Sequence, residues 1–89
     1  MKINVTDEFK AICKDILNED KTKEQWAEIE SDDMFQTNSF CGGYDADEVA
    51  FCFSFYNDNG DEYWFQVTLE EIEKVVSGDL TTIDSRPAE

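Results

Sequence analysis

Histidine is missing from the chain altogether, which removes Ser-His-Asp and Cys-His nucleophilic mechanisms and the commonest zinc ligand sets. Bases are scarce: seven Lys and Arg stand against 22 Asp and Glu, a formal net charge of −15. From Glu24 to Glu73 there is no base at all, while 14 of those 50 positions are acidic. Such a chain repels nucleic acid, anionic membranes and acidic substrates, and attracts basic partners at long range. High negative charge also serves solubility by itself. No apolar run reaches 18 residues, and MKINVTDEFK lacks the apolar core of a signal peptide. Gly42-Gly43 lacks the Lys and the strand-to-helix setting of a phosphate-binding loop. The three cysteines (Cys13, Cys41 and Cys52) form no C-x-x-C and no metal-like spacing. They are expected as small core residues, without a disulfide, in a reducing cytoplasmic compartment.

What the chain does have is aromatic: seven Phe, three Tyr and two Trp. Most of them gather in DEVAFCFSFYNDNGDEYWFQVTL, Asp47 to Leu69, which reads as two strands joined by an Asn/Asp/Gly turn. A two-residue loop at Asn59-Gly60 would leave both faces mixed. A three-residue loop, Asp58-Asn59-Gly60, pairs Phe55 with Tyr63, Phe53 with Phe65, and Phe51 with Val67, and collects the large apolar residues on one face. A one-residue slip would send that whole set to the other face, so burial selects the second register. Gly60 then takes the left-handed position of a G1 bulge. Phe51, Phe53, Phe55, Phe65 and Val67 are predicted inside, and Tyr56 and Trp64 outside.

Around the hairpin, Met1 to Val5 is a short lead with the look of an edge strand. Thr6 caps a helix with an apolar stripe at Phe9, Ile12, Cys13, Ile16 and Leu17. Thr22 to Gln25 is a capping box opening a short helix to about Glu30, anchored by Trp26, Ala27 and Ile29, with Ser31-Asp32-Asp33 as connector. Met34 to Cys41 reads as a strand and Gly42-Gly43 as the turn after it. Thr68 to Glu71 is a second capping box, so the chain passes directly into a helix over Leu69 to Ser77, with Gly78 at its end. Residues 79–89 are expected to be ordered to Ile83 and loose beyond. The predicted fold is one small α+β domain, 1–89: two N-terminal helices, a three-stranded antiparallel sheet and one C-terminal helix packed on it.

Chemistry is hard to place on this chain. Cys41 has no base near it in sequence to activate a thiolate. Carboxylate pairs are so numerous that a general acid/base dyad can be drawn anywhere. Asn57 to Glu62 looks like a calcium loop. Aligned on Gly60, however, an EF-hand would have Phe55 as its first ligand and Gln66 as its last, so the motif fails and turn chemistry explains the residues. No catalytic residue, cofactor or metal ligand is expected. What remains is a partner-binding composition: the exposed aromatics Tyr56 and Trp64 among carboxylates. The candidate contacts are Asp45, Asp47 and Glu48, then Asp58, Asp61 and Glu62, and Glu70, Glu71 and Glu73 on the last helix.

The acidic turn NDNGDEY (Asn57 to Tyr63), followed by a helix carrying Glu70, Glu71 and Glu73 in a small helix-flanked sheet, is similar to the DNA-mimic inhibitors of phages and mobile elements. It looks most like the small acidic anti-CRISPR proteins that occupy the DNA-reading surface of a CRISPR nuclease. The Phe-dense hairpin departs from a pure mimic, being core rather than a carboxylate ladder, and no residue-level role carries over. The resemblance implies a non-enzymatic inhibitor, acting through carboxylates that replace phosphates against a basic protein surface. It implies no direct contact with nucleic acid or membrane. Two alternatives stay open: an immunity protein for a basic, nuclease-like toxin, and a small structural or homodimeric protein whose acidity serves solubility only.

Overall fold

A threonine starts each helix among the described residues. Thr6 accepts the Phe9 amide at 3.2 Å ahead of α1 (Asp7–Asn18). Thr22 and Gln25 close a reciprocal capping box on α2 (Lys23–Glu28), and Thr68 and Glu71 do the same on α3 (Leu69–Ser77). Each box satisfies two amides that a helix start leaves without partners. Gly78 ends α3 at φ +90°, where the absence of a Cβ removes the usual penalty.

The computed structural model describes residues 1–29, 31 and 34–88. The predicted helix limit at Glu30 and the connector positions Asp32 and Asp33 lie outside them. Among the described residues the strands are β1 (Lys2–Asn4), β2 (Phe35–Gln36), β3 (Cys41–Asp45), β4 (Ala50–Tyr56), β5 (Glu62–Val67), β6 (Thr82–Asp84) and β7 (Arg86–Pro87). Five form one antiparallel sheet in the order β2-β3-β4-β5-β7, and β1 pairs with β6 in a second, two-stranded sheet.

The molecule is α+β, but the predicted plan of two helices, three strands and one helix is overturned. The lead read as an edge strand is β1, which the three-strand plan left out, and residues expected to be loose past Ile83 include β7. The reason is length. Strands of two or three residues are too short to show a period-two pattern, and β1, β6 and β7 form only because distant segments meet them.

A second correction concerns the glycines. Gly42 and Gly43 lie inside β3, opposite Phe53 and Cys52, and the turn falls instead at Ala46 to Val49. Both glycines are needed for space. A Cβ on Gly43 would stand 1.8 Å from the Ser31 carbonyl oxygen, and one on Gly42 would stand 2.0 Å from that of Cys52.

The hairpin has the three-residue loop, with Phe55 opposite Tyr63, Phe53 opposite Phe65 and Phe51 opposite Val67. Gly60 sits at φ +85°, and the Asn57 amide donates to the Asp61 carbonyl at 2.9 Å to close the ladder. Phe51, Phe53, Phe65 and Val67 are buried, while Phe55, near the turn, is half-buried. Phe9 of α1 stands on this face, its ring 5.3 Å from both Phe53 and Phe65 at nearly right angles. Trp26 of α2 meets Phe51 edge-on at 5.0 Å. Ile72 and Val75 of α3 complete the layer. The helices therefore cover the Phe-bearing face, and the aromatic pairs add about 0.5–1.5 kcal/mol each beyond their burial.

The cysteines divide. Cys13 is a core residue, as expected, and burial pushes its thiol up to about 12. Cys41 and Cys52 instead lie half-buried on the opposite face of the sheet, where strand alternation puts them. All three are free. Cys41 faces Ser54 and Cys52 faces Gly43, so the two are diagonal neighbours, about 7–8 Å apart and beyond disulfide reach. Native maleimide labelling is expected to modify Cys41 and Cys52 and spare Cys13, and the unreduced mass to show no loss of two hydrogens. Labelling of Cys13 at the rate of the other two would contradict this packing.

Candidate protein-binding surface

β4 and β5 carry the outer candidates. Tyr56 stands opposite Glu62, and Trp64 opposite Ser54, so Tyr56, Glu62 and Trp64 share one patch on the face away from Phe53. Tyr56 is 69% exposed. Trp64 is half-buried because Arg86 of β7 lies over it, the guanidinium carbon 5.7 Å from the ring centroid. At the tip, Asn57 Oδ1 accepts the amides of Asn59 and Asp61 at 3.0 and 2.9 Å, which fixes the turn and leaves Asp58 and Asp61 exposed. Tyr56, Asp58, Asp61, Glu62 and Trp64 thus form one pole.

Asp45, Asp47 and Glu48 form a second pole at the other end of β4. The seven residues of β4 separate the two poles by about 20 Å at 3.4 Å per residue. Asp45 Oδ1 accepts the amides of Asp47 and Glu48 at 2.9 and 3.4 Å. Val49 follows at φ +53°, a sparsely populated conformation for a β-branched residue, with its side chain 45% exposed.

Glu70 belongs to this pole. It bonds Lys23 at 3.0 Å, and that ammonium holds the Glu70 carboxyl below its ordinary value while Glu70 raises Lys23 in return. Burial pushes the Tyr44 phenol up; Lys23 opposes that shift, and Glu24, Glu70 and Asp45 add to it. Glu71 is committed to capping α3, and Glu73 is exposed on the helix side. The eleven candidates are therefore two poles plus two helix residues, and no single site contains them all.

Sequence reasoning missed Glu24, Lys23 and Arg86. Glu24 had one indication, its place in the first turn of a capped helix. Arg86 had none, because only the return of the C-terminal residues to β5 brings it onto Trp64.

The bases are unevenly placed: Lys10 and Lys14 are on α1, Lys21 and Lys23 at the start of α2, and Lys74 on α3. β2 to β5 and the turns between them hold none. Among the described residues no group of three or more His, Cys, Asp or Glu is placed to hold a metal ion, and no helix is long and apolar enough to cross a membrane. Comparison with family models, with curated proteins and with solved structures finds no match for the chain.

Proposed function

We propose that the chain is a non-enzymatic acidic binding protein that occupies a basic, nucleic-acid-reading surface of a partner protein. The observation that carries this is the pole at the hairpin tip. There three carboxylates, Asp58, Asp61 and Glu62, flank an exposed Tyr56 and an adjoining Trp64 on a strand pair held rigid by the Phe core. Carboxylates on a preformed scaffold need little ordering on binding, and an aromatic beside them supplies the dry contact that slows release. The absence of bases from β2 to β5 supports a positively charged counterpart.

The test is a salt-graded pull-down from a host lysate, repeated with excess duplex DNA. A basic partner should elute as salt rises and be displaced by the duplex. The combined change Asp58→Asn, Asp61→Asn, Glu62→Gln should weaken capture and reduce the salt slope by roughly one per carboxylate that replaces a phosphate. Trp64→Ala should act mainly on dissociation. Capture that survives excess duplex would sink the mimicry and favour an immunity-type partner bound elsewhere. Recovery of nothing that elutes with salt would leave acidity to solubility alone.

A further inference from the structure

Among the described residues β5 is covered by β7 only at Tyr63 and Trp64, with one further bond from the Ala88 amide to the Glu62 carbonyl at 3.0 Å. Before that point the chain leaves the sheet. Ser85, 3% exposed, donates its amide and hydroxyl to the Met1 carbonyl at 2.7 and 2.8 Å, and its carbonyl accepts the Met1 ammonium at 2.8 Å. β6 is thereby drawn away to β1. A cleft of about 330 Å³ opens between β5 and β6, with Phe65, Leu80 and Ile83 among its apolar lining and Trp64, Gln66 and Thr82 among its walls.

The register states which main-chain groups face this cleft. The Asn57–Asp61 bond fixes the odd-numbered residues of β5 as those bonded to β4, so Glu62, Trp64 and Gln66 point their amides and carbonyls to the other edge. Glu62 and Trp64 meet β7 there, and Gln66 is the next in line, past the end of β7. On β6, the Val5 amide bonds the Thr81 carbonyl and the Ser85 amide bonds that of Met1, so Thr81, Ile83 and Ser85 face β1. Thr82 and Asp84 face the other way, toward β5. Both walls of the cleft thus present strand edges.

We propose that this cleft takes an extended segment of the basic partner, which adds as a short strand between β5 and β6; this rests on the proposed function for the partner's charge. The local charges leave the main chain as what is read. Lys2 is paired with Asp84 at 3.7 Å, Arg86 lies on Trp64, and Glu71 is engaged in its cap. Selection for a basic strand comes from the net −15 of the whole chain, which also disfavours a second copy as the occupant. The three residues of β6 match about three residues of guest strand, some 10 Å of extended chain.

The probes are a labelled octapeptide of alternating Lys and Val, the same peptide N-methylated at alternate residues, and an alternating Glu/Val octapeptide. The Lys/Val peptide should bind, protect the Gln66, Thr82 and Asp84 amides from hydrogen exchange, and lose about tenfold in affinity on N-methylation. Gln66→Pro should weaken it similarly while keeping the fold, since the Gln66 amide does not face β4. Equal binding of the N-methylated peptide, protection confined to other amides, or no binding overturns the cleft assignment, whatever the pull-down shows. Equal binding of the Lys and Glu peptides, both weakened by N-methylation, overturns the basic partner instead. A mass that doubles with concentration and blocks peptide binding would assign the cleft to a second copy and overturn the proposal.

Discussion

Phe53→Ala is expected to destabilise the protein by about 3–5 kcal/mol, the usual cost of emptying a large buried aromatic site. Phe53 is 1% exposed and lies at the junction of the layers: stacked on Phe65 at 5.8 Å, met edge-on by Phe9, and set directly opposite Gly42. Its neighbours come from α1, β3 and β5, so no single element can move in to fill the space. A domain of this length holds roughly 4–13 kcal/mol in total, and the loss takes a large share of it. Tyr56→Ala, three positions along the same strand, removes an aromatic of nearly equal size from the outer face. It should change stability by no more than about 0.5 kcal/mol. Urea unfolding of the pair reads the register directly. Equal midpoints for the two variants, or a Phe53→Ala variant that melts with the parent chain, would mean that β4 presents its other face to the helices.

That register was legible because the Asn-Gly turn and the alternation of Phe with small or polar residues point the same way. The three helices were legible for the same kind of reason, since Thr6, Thr22 and Thr68 each begin a stretch with apolar residues at helical spacing. Agreement between a local cap and a longer pattern makes a segment readable. β6 and β7 have neither. Arg86-Pro87 is two residues with no period, and its partner Tyr63-Trp64 lies more than twenty positions earlier. Pro87 even reads as a strand breaker. It is tolerated because it stands opposite Tyr63, whose own ladder bonds run to β4, so β5 asks no amide of it. At the candidate surface, the acids could be listed from composition, but their grouping depends on which end of β4 each turn occupies. Asp45 and Asp58 are close in sequence and stand at opposite ends of a strand. Glu70 joins the Asp45 end only because α3 starts where β5 finishes.

Gly42-Gly43 was misread for an instructive reason: a glycine pair marks a turn when the backbone needs positive φ, and here the need is room. Neither residue has positive φ; among the glycines only Gly60 and Gly78 do. Gly43→Ala would place its Cβ 1.8 Å from the Ser31 carbonyl oxygen and 2.9 Å from the carbonyl carbon, both of them backbone atoms. Relief requires the segment at Ser31 to lift off β3 or β3 to shift away from β4, and overpacking of this kind costs about 1–3 kcal/mol or more. Gly60→Ala is the matched control with the opposite cause. Its Cβ meets nothing within 4 Å, but φ is +85°, so the cost is the left-handed backbone alone, about 1–2 kcal/mol. The two should also differ in position. Gly43→Ala should lower hydrogen-exchange protection along β3 and around Trp26, which stacks on the adjacent Tyr44 at 6.4 Å, while Gly60→Ala should loosen only the hairpin tip. A Gly43→Ala variant with the parent's urea midpoint and an unchanged exchange pattern in β3 would show that the chain at Ser31 does not press on this strand.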